Sequence, residues 1–301
     1  DKLVMVTWFP LPAPEIWQEL ARAGVPVFSE PVRGIRALGK MVRFVNARNR
    51  ILSRRQAPEE KHHAAIQSGV AKIIEDARNR KRKVLTEFQA KQLFKMCGLA
   101  VPRGGLARTA AEAKMLAAEI GRPVALKAAS VDVPHKSEAG VIRLNVDSQA
   151  DVERAFDDIV AQVKRWDSAA QLDGVLVEEM ISGDMREVII GARQDLRFGP
   201  VVTFGLGGIF VEALADFSVW PAPLTMDDAR ELIKNIRGYR ILTGFRGRPA
   251  ADIDAMAEAL CRLGEIASQW RHEVAEIEIN PLFVFPAGSG TIVGDALAVL
   301  K

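Results

Sequence analysis

The chain has 301 residues, of which 49% are apolar and 26% charged. At roughly 150 residues per domain that length serves about two domains, and the mix is that of a globular protein rather than a disordered or collagenous one. No run reaches the ~18 apolar residues of a spanning helix, and two cysteines, Cys97 and Cys261, exclude a disulfide framework or Cys-based zinc site and point to a reducing, cytoplasmic setting. The net charge is +3, yet residues 48–83 carry eleven Lys/Arg against four acids, which is +7 and leaves −4 for the rest. A basic segment this local speaks against a nucleic-acid-binding surface and against a membrane partner.

In chain order, the pattern predicts a strand over Leu3–Phe9, a helix over 14–23, a short strand over 25–28 and a helix over 31–49. Alternating β and α elements imply parallel strands. Two short strands read as the last part of a doubly wound domain, and a start at Asp1 reads as part of a longer protein. The segment Gly34-Ile-Arg-Ala-Leu-Gly-Lys-Met41 misses a P-loop, because Met41 replaces the magnesium-binding hydroxyl and the segment lies in a helical pattern. Residues 50–83 read as a basic linker with a one-sided helix carrying Ile66, Val70, Ile73, Ile74 and Ala77. His62 and His63 lie in that linker and read as solvated.

Thr86 with Gln89 makes a capping box for a helix over 87–97 that Gly98 ends. Thr109 with Glu112 repeats the device, and Gly121-Arg-Pro123 then breaks into a strand over 124–129. Further strands are expected over 141–146, 174–180, 187–193 and 200–204, with a helix over about 150–166. Helices follow over about 226–236, capped by Thr225 with Asp228, and 251–270. The chain closes with a hairpin, Ala275–Phe285 and Thr291–Leu300.

That hairpin carries the sharpest constellation. Glu278 and Asn280 are two apart on a strand and share a face. A turn between Ala287 and Gly288 makes paired positions sum to 575, which sets Asn280 opposite Asp295. Three oxygen donors then converge, a set suited to Mg²⁺ completed by phosphates and water. The other reading is the polar face of an edge hairpin. Lys127 stands in the apolar strand Pro123-Val-Ala-Leu-Lys-Ala-Ala129, where an ammonium calls for an anion such as phosphate unless its stem packs and its head reaches water. The loop Pro134-His-Lys-Ser-Glu-Ala-Gly140 offers phosphate contacts and, in His135, a phosphoryl acceptor, or is a solvated turn. The glycines at 205, 207 and 208 form an anion nest or a turn. No Gly-x-Ser-x-Gly elbow and no His-Glu-x-x-His appears.

In order along the chain, Leu85-Thr-Glu-Phe-Gln-Ala-Lys-Gln-Leu-Phe94, Pro123–Lys127, His135–Glu138, Gly174–Met180, Phe198–Val202, Phe204–Ile209, Gly244–Pro249 and Glu278-Ile-Asn-Pro-Leu282 resemble the ATP-grasp domain of ADP-forming acyl-CoA synthetases, related to the succinyl-CoA ligase beta subunit. The resemblance covers most of 84–301, and 1–49 looks like the end of the CoA-ligase portion. It implies an α/β fold, an ATP-grasp domain over 84–301 preceded by a flavodoxin-like remnant over 1–49. It further implies that Lys127 contacts ATP phosphates, that Glu178, Glu179 and Met180 form an adenine hinge, and that Glu187, Gly207 and Gly208 lie near the nucleotide. Asn280 and Asp295, with Glu278, would hold Mg²⁺, and His135 and Lys136 would lie on the phosphoryl-relay loop. The family joins a small carboxylic acid to CoA with ATP, giving acyl-CoA, ADP and phosphate through a phosphohistidine. CoA would be bound mainly by the missing portion, here or on a partner subunit, in an oligomer. Val141, where many relatives have Gly, and Leu297, where a basic residue is usual, depart from the pattern. Two further readings are a regulatory ATP-grasp-like region of a protein acetyltransferase and a carboxylate–amine ligase.

Overall fold

A computed structural model describes residues 4–9, 12–54, 64–121, 123–133, 136–208, 216–245 and 247–301. The chain divides into two compact units, residues 1–62 and 63–301.

In the first unit, β1 (Val6–Thr7), α1 (Pro14–Arg22), β2 (Val27–Phe28) and α2 (Pro31–Arg54) follow one another. β1 and β2 pair in parallel, as their alternation with helices requires. The Gly34–Met41 segment lies inside α2 and is no phosphate loop.

The second unit opens with α3 (Ala64–Asn79) and α4 (Glu87–Met96). Val70, Ile74 and Ala77 of α3 are fully buried in its larger core. The sequence boundary at 83/84 therefore differs from the structural one: the basic residues hide a helix whose apolar stripe packs into the same core as Ala90, Leu93 and Phe94 of α4. Next come β3 (Gly104–Ala107), α5 (Ala110–Ile120), β4 (Val124–Ala129), β5 (Ile142–Val146), α6 (Gln149–Trp166) and β6 (Gly174–Glu179). The four strands form an antiparallel sheet in the order β3-β6-β4-β5. One face, with Val124, Leu126, Ala128, Val175 and Val177, packs on α5 and α6 in a separate core. By the two-residue period of a strand, Ala125, Lys127, Leu176 and Glu178 take the other face.

A second sheet follows from β7 (Arg186–Asp195), β8 (Gly199–Leu206), β9 (Phe217–Pro221), α7 (Met226–Lys234), α8 (Tyr239–Leu242), α9 (Ile253–Gln269), β10 (Val274–Val284), β11 (Thr291–Val293) and β12 (Ala296–Leu300). Its order is β11-β10-β7-β8-β9, with β12 on the same edge of β10 as β11. α9 covers its inner face with Met256, Leu260 and Leu263, all fully buried. Strand β3 escapes a reading by alternation because it is short and begins Gly-Gly. The same glycine makes it possible: a Cβ on Gly104 would stand 2.2 Å from the Val177 carbonyl oxygen. Gly104→Ala should lower stability by about 1–3 kcal/mol, read as a lower urea midpoint with an unchanged slope.

Candidate functional site

The site is built where the free face of the first sheet meets the start of α4 and the closing hairpin. Thr86 caps α4 with a full capping box to Gln89. The residues before it are tied to β12, since the Leu85 N–H donates to Ala298 O (2.9 Å) and the Leu300 N–H to Lys83 O (2.7 Å). Glu87, the first residue of α4, is thereby held against the β11–β12 turn at Gly294-Asp295.

Six ionic side chains gather there. Glu87, Lys91, Lys127 and Glu178 are 4%, 4%, 9% and 3% exposed, levels at which a charge must be paired. Glu87 Oε1 lies 2.7 Å from Lys127 Nζ and 2.8 Å from Lys91 Nζ, and its Oε2 accepts from Lys136 Nζ at 2.5 Å. Glu178 meets Lys91 at 2.5 Å and Lys127 at 3.2 Å. The diagonal offset of Lys127 and Glu178 on neighbouring strands accounts for the latter contact, because long side chains bridge that spacing. The Gly294 carbonyl accepts from both Lys91 and Lys127 at 2.8 Å, and Lys136 reaches Asp295 Oδ1 at 3.1 Å. Three ammoniums and three carboxylates make the group formally neutral.

Burial pushes the Glu87 carboxyl up, but Lys127, Lys91 and Lys136 outweigh it and hold it well below the ordinary range. Burial lowers Lys127 and Lys136, yet the carboxylates around them raise both. Asp295 goes the other way: removal of water and the nearby Glu87 push it up despite three lysines.

The hairpin register is the one the turn dictated, with Ile279 opposite Ala296 and Leu282 opposite Val293. The Asn280 N–H donates to Asp295 O at 3.2 Å. A bulge at Asn280-Pro281 puts two residues opposite one on β7, between Ile279↔Ile190 and Leu282↔Val188. Asn280 Nδ2 donates to Glu278 Oε1 at 3.4 Å, and burial with Glu276 and Asp295 raises the Glu278 carboxyl. Among the described residues no three His, Cys, Asp or Glu side chains form a metal cluster. Two carboxylates and one amide are hard oxygen donors, a chemistry that fits a divalent ion taking its other ligands from phosphate and water.

Glu187 and the glycines come together: the Gly207 N–H donates to Glu187 O at 2.8 Å, and a Cβ on Gly207 would meet the Glu187 backbone at 2.8 Å. Gly207 thus serves close strand approach, and its amide does not point out as a nest donor. Gly208 has φ +61° and borders the Glu187 carboxylate. In the segment 178–180, the N–H groups of Glu179 and Met180 donate to Arg103 O and Pro123 O, and Glu179 Oε2 takes Arg103 at 2.9 Å. Only Glu178 of that segment joins the charge group. Val141 is fully buried, and its N–H and C=O bond Lys136 and Ala128, which fixes the turn carrying Lys136. Leu297 is partly exposed opposite Glu278. His135, His62 and His63 lie outside the described residues.

Sequence reading passed over Glu87, Lys91 and Gly294. The first two had a signal: with Ala90 and Phe94 they occupy one helical stripe, an i,i+4 charge pair on an apolar face. Gly294 had none, for its role is a carbonyl. A cavity of about 490 Å³ opens elsewhere, lined by Arg80, Lys81, Lys83, Asp132 and Gln171 among others, and shares no residue with the charge group. Its Arg82 is already held by Asp173 at 2.6 Å.

Residues 76–300 match the ATP-grasp domain family, and the chain belongs to it. Within that class it groups with the beta subunits of ADP-forming acid–CoA ligases. It is 40% identical over 230 residues to the beta subunit of acetate–CoA ligase [ADP-forming] II of Pyrococcus furiosus, spanning 76% of the chain and 97% of that subunit. It is 36% identical over 275 residues to acetate–CoA ligase [ADP-forming] I of Archaeoglobus fulgidus, spanning 91% of the chain and only 39% of that protein. The dinucleotide forming acetyl-coenzyme A synthetase 1 of Ca. Korarchaeum cryptofilum, solved with coenzyme A, Ca-AMPCP and HgCl+, superposes with a TM-score of 0.73 at 39% identity, over 76% of this chain and 99% of that one.

The folded chain holds the Glu87 carboxyl below its unfolded value, so the unfolded chain takes up that proton first as the pH falls. Its stabilisation is complete above the ordinary glutamate range, about pH 4–5, and is lost below it. Acid melts should show wild type losing stability through that window more steeply than Glu87→Gln, whereas parallel profiles would contradict this assignment.

Proposed function

We propose that the chain is the nucleotide-binding, phosphoryl-transferring part of an ADP-forming acid–CoA ligase. The observation that carries this reading is the convergence of Lys127 and Lys136 with Asp295 where the first sheet meets the closing hairpin. Phosphoryl transfer asks a protein chiefly for positioning and charge neutralisation, and buried lysines beside a hard-oxygen donor set supply both.

In this reading Lys127 and Lys136 contact the nucleotide phosphates, while Glu187, Gly207 and Gly208 border the nucleotide. The segment Glu178–Met180 edges the adenine. Since the amides of Glu179 and Met180 are engaged within the sheet, other groups there must meet the base. Glu278, Asn280 and Asp295 would hold Mg²⁺, which when bound draws charge from the phosphate oxygens. His135 would accept the phosphoryl group: an N–P bond forms as the terminal P–O bond of ATP breaks, and ADP leaves. In the full reaction a carboxylic acid, CoA and ATP become acyl-CoA, ADP and phosphate.

The remaining chemistry belongs to a CoA-ligase portion in the same protein or a partner. An alignment of 275 residues exceeds the second unit and has to reach into the first, which supports residues 1–49 as the tail of such a portion. Among the described residues no helix is long and apolar enough to cross a membrane, and the free cysteines agree with a cytoplasmic setting.

Calorimetric titration of ADP and ATP should show Mg²⁺-dependent binding by wild type. That binding should weaken about tenfold or more in Lys127→Ala and in an Asn280→Ala/Asp295→Ala double variant. A folded wild-type chain that binds neither nucleotide would sink the reading and favour the regulatory one. With ATP, CoA and acetate but no added CoA-ligase portion, the chain should form no acyl-CoA; turnover by the chain alone would refute the assigned division of labour.

A further inference from the structure

Glu87 stands out in the charge group because it is the one carboxylate that touches all three lysines. Its two oxygens receive three ammonium contacts, an arrangement that resembles what a phosphate group would receive from the same lysines. The rest of the network does not require it. Glu178 alone bridges Lys91 and Lys127 through its two oxygens. Gly294 O accepts from the same two ammoniums, and Lys136 has Asp295. With Glu87 set aside, every lysine keeps an anionic partner, and the group carries one net positive charge. Without any anion at the Glu87 position, three buried ammoniums would repel one another.

We propose that Glu87 is a built-in stand-in for a nucleotide phosphate, a positioning residue that keeps Lys127 and Lys136 aligned in the ligand-free chain and yields them when the phosphate arrives. The inference rests on the nucleotide reading above. Lys91, one turn along the same helix, offers Glu87 a partner after the exchange, so displacement leaves no buried carboxylate unpaired. The arrangement preorganises the lysines at the expense of affinity, because each phosphate has to displace a carboxylate already in place.

The test compares wild type with Glu87→Gln and Glu87→Asp by calorimetry and thermal melting, using ADP, inorganic phosphate and adenosine. Glu87→Gln should melt lower without ligand yet bind ADP on the order of tenfold tighter. Inorganic phosphate should gain in the same direction and adenosine should be unchanged; Glu87→Asp, whose shorter carboxylate cannot span all three lysines, should show a smaller gain. A role limited to holding the fold together would weaken ADP binding instead. A folded Glu87→Gln chain that binds ADP no tighter than wild type, or one that gains equally for adenosine, would overturn the proposal. Should neither variant fold, a crystal structure of wild type with ADP decides. Lys127 should then lie on a phosphate oxygen and beyond about 4 Å from Glu87, the limit of an ion pair, and an unbroken Glu87–Lys127 pair would refute the exchange. Wild type that folds but does not bind ADP would instead remove the nucleotide reading beneath it.

Discussion

Three ammoniums and three carboxylates, four of the six buried, meet at one seam and constrain how the second unit can pack. Each ion taken from water costs several kcal/mol even after relaxation, and the loss is offset only when geometry and pairing are complete. Completeness here draws on five separate pieces of chain: the start of α4, strands β4 and β6, the turn at Lys136, and the β11–β12 corner. A shift of any one would break at least one of these ion pairs in a poorly hydrated place. The network therefore specifies register between the two sheets, a job that apolar cores do less selectively because they tolerate repacking. The capping box at Thr86 and the bonds that tie 83–85 to β12 serve it by fixing where α4 begins.

The seam is uneven as well as neutral. Lys127 and Lys136 are raised by their carboxylate neighbours, so they remain cationic throughout the ordinary pH range. Asp295 and Glu278 are raised too, chiefly because burial strips water from their carboxyls, with neighbouring acids adding to the effect. One side of the site thus holds cations fixed, and the other holds carboxyls that burial has deprived of water.

How much of this was legible in the sequence depended on how local the cause was. The hairpin register followed from one turn, since the pairs from Glu276↔Val299 to Val284↔Thr291 are set by where Ala287 and Gly288 reverse the chain, and only beyond a shift at Val274 does the register change. Lys127 was conspicuous as a charge in an apolar strand, but its partner was not: Glu87 lies forty residues earlier, and only the folded sheet brings the two together. Gly294 was invisible for a related reason, because its contribution is a carbonyl aimed by the corner it occupies. The helix α3 was legible as an amphipathic element, yet the basic residues around it outweighed its stripe in the reading and suggested a linker. Strand β3 defeated the two-residue pattern because its glycines answer to the approach of β6 rather than to burial.

That division also explains why the glycines at 205, 207 and 208 admitted two readings. Glycine permits a nest of amides and permits close backbone contact, and sequence cannot separate them. The structure shows Gly207 donating its amide to Glu187, which makes it the hinge pin of β7 and β8 instead of an anion cradle. Gly207 therefore offers no free amide to an anion nest. Lysines, unlike backbone amides, repel one another when gathered without an anion, so a site of this kind must carry its own counter-charge into the fold. Glu87, with Glu178 and Asp295, supplies it, and the requirement follows from electrostatics alone.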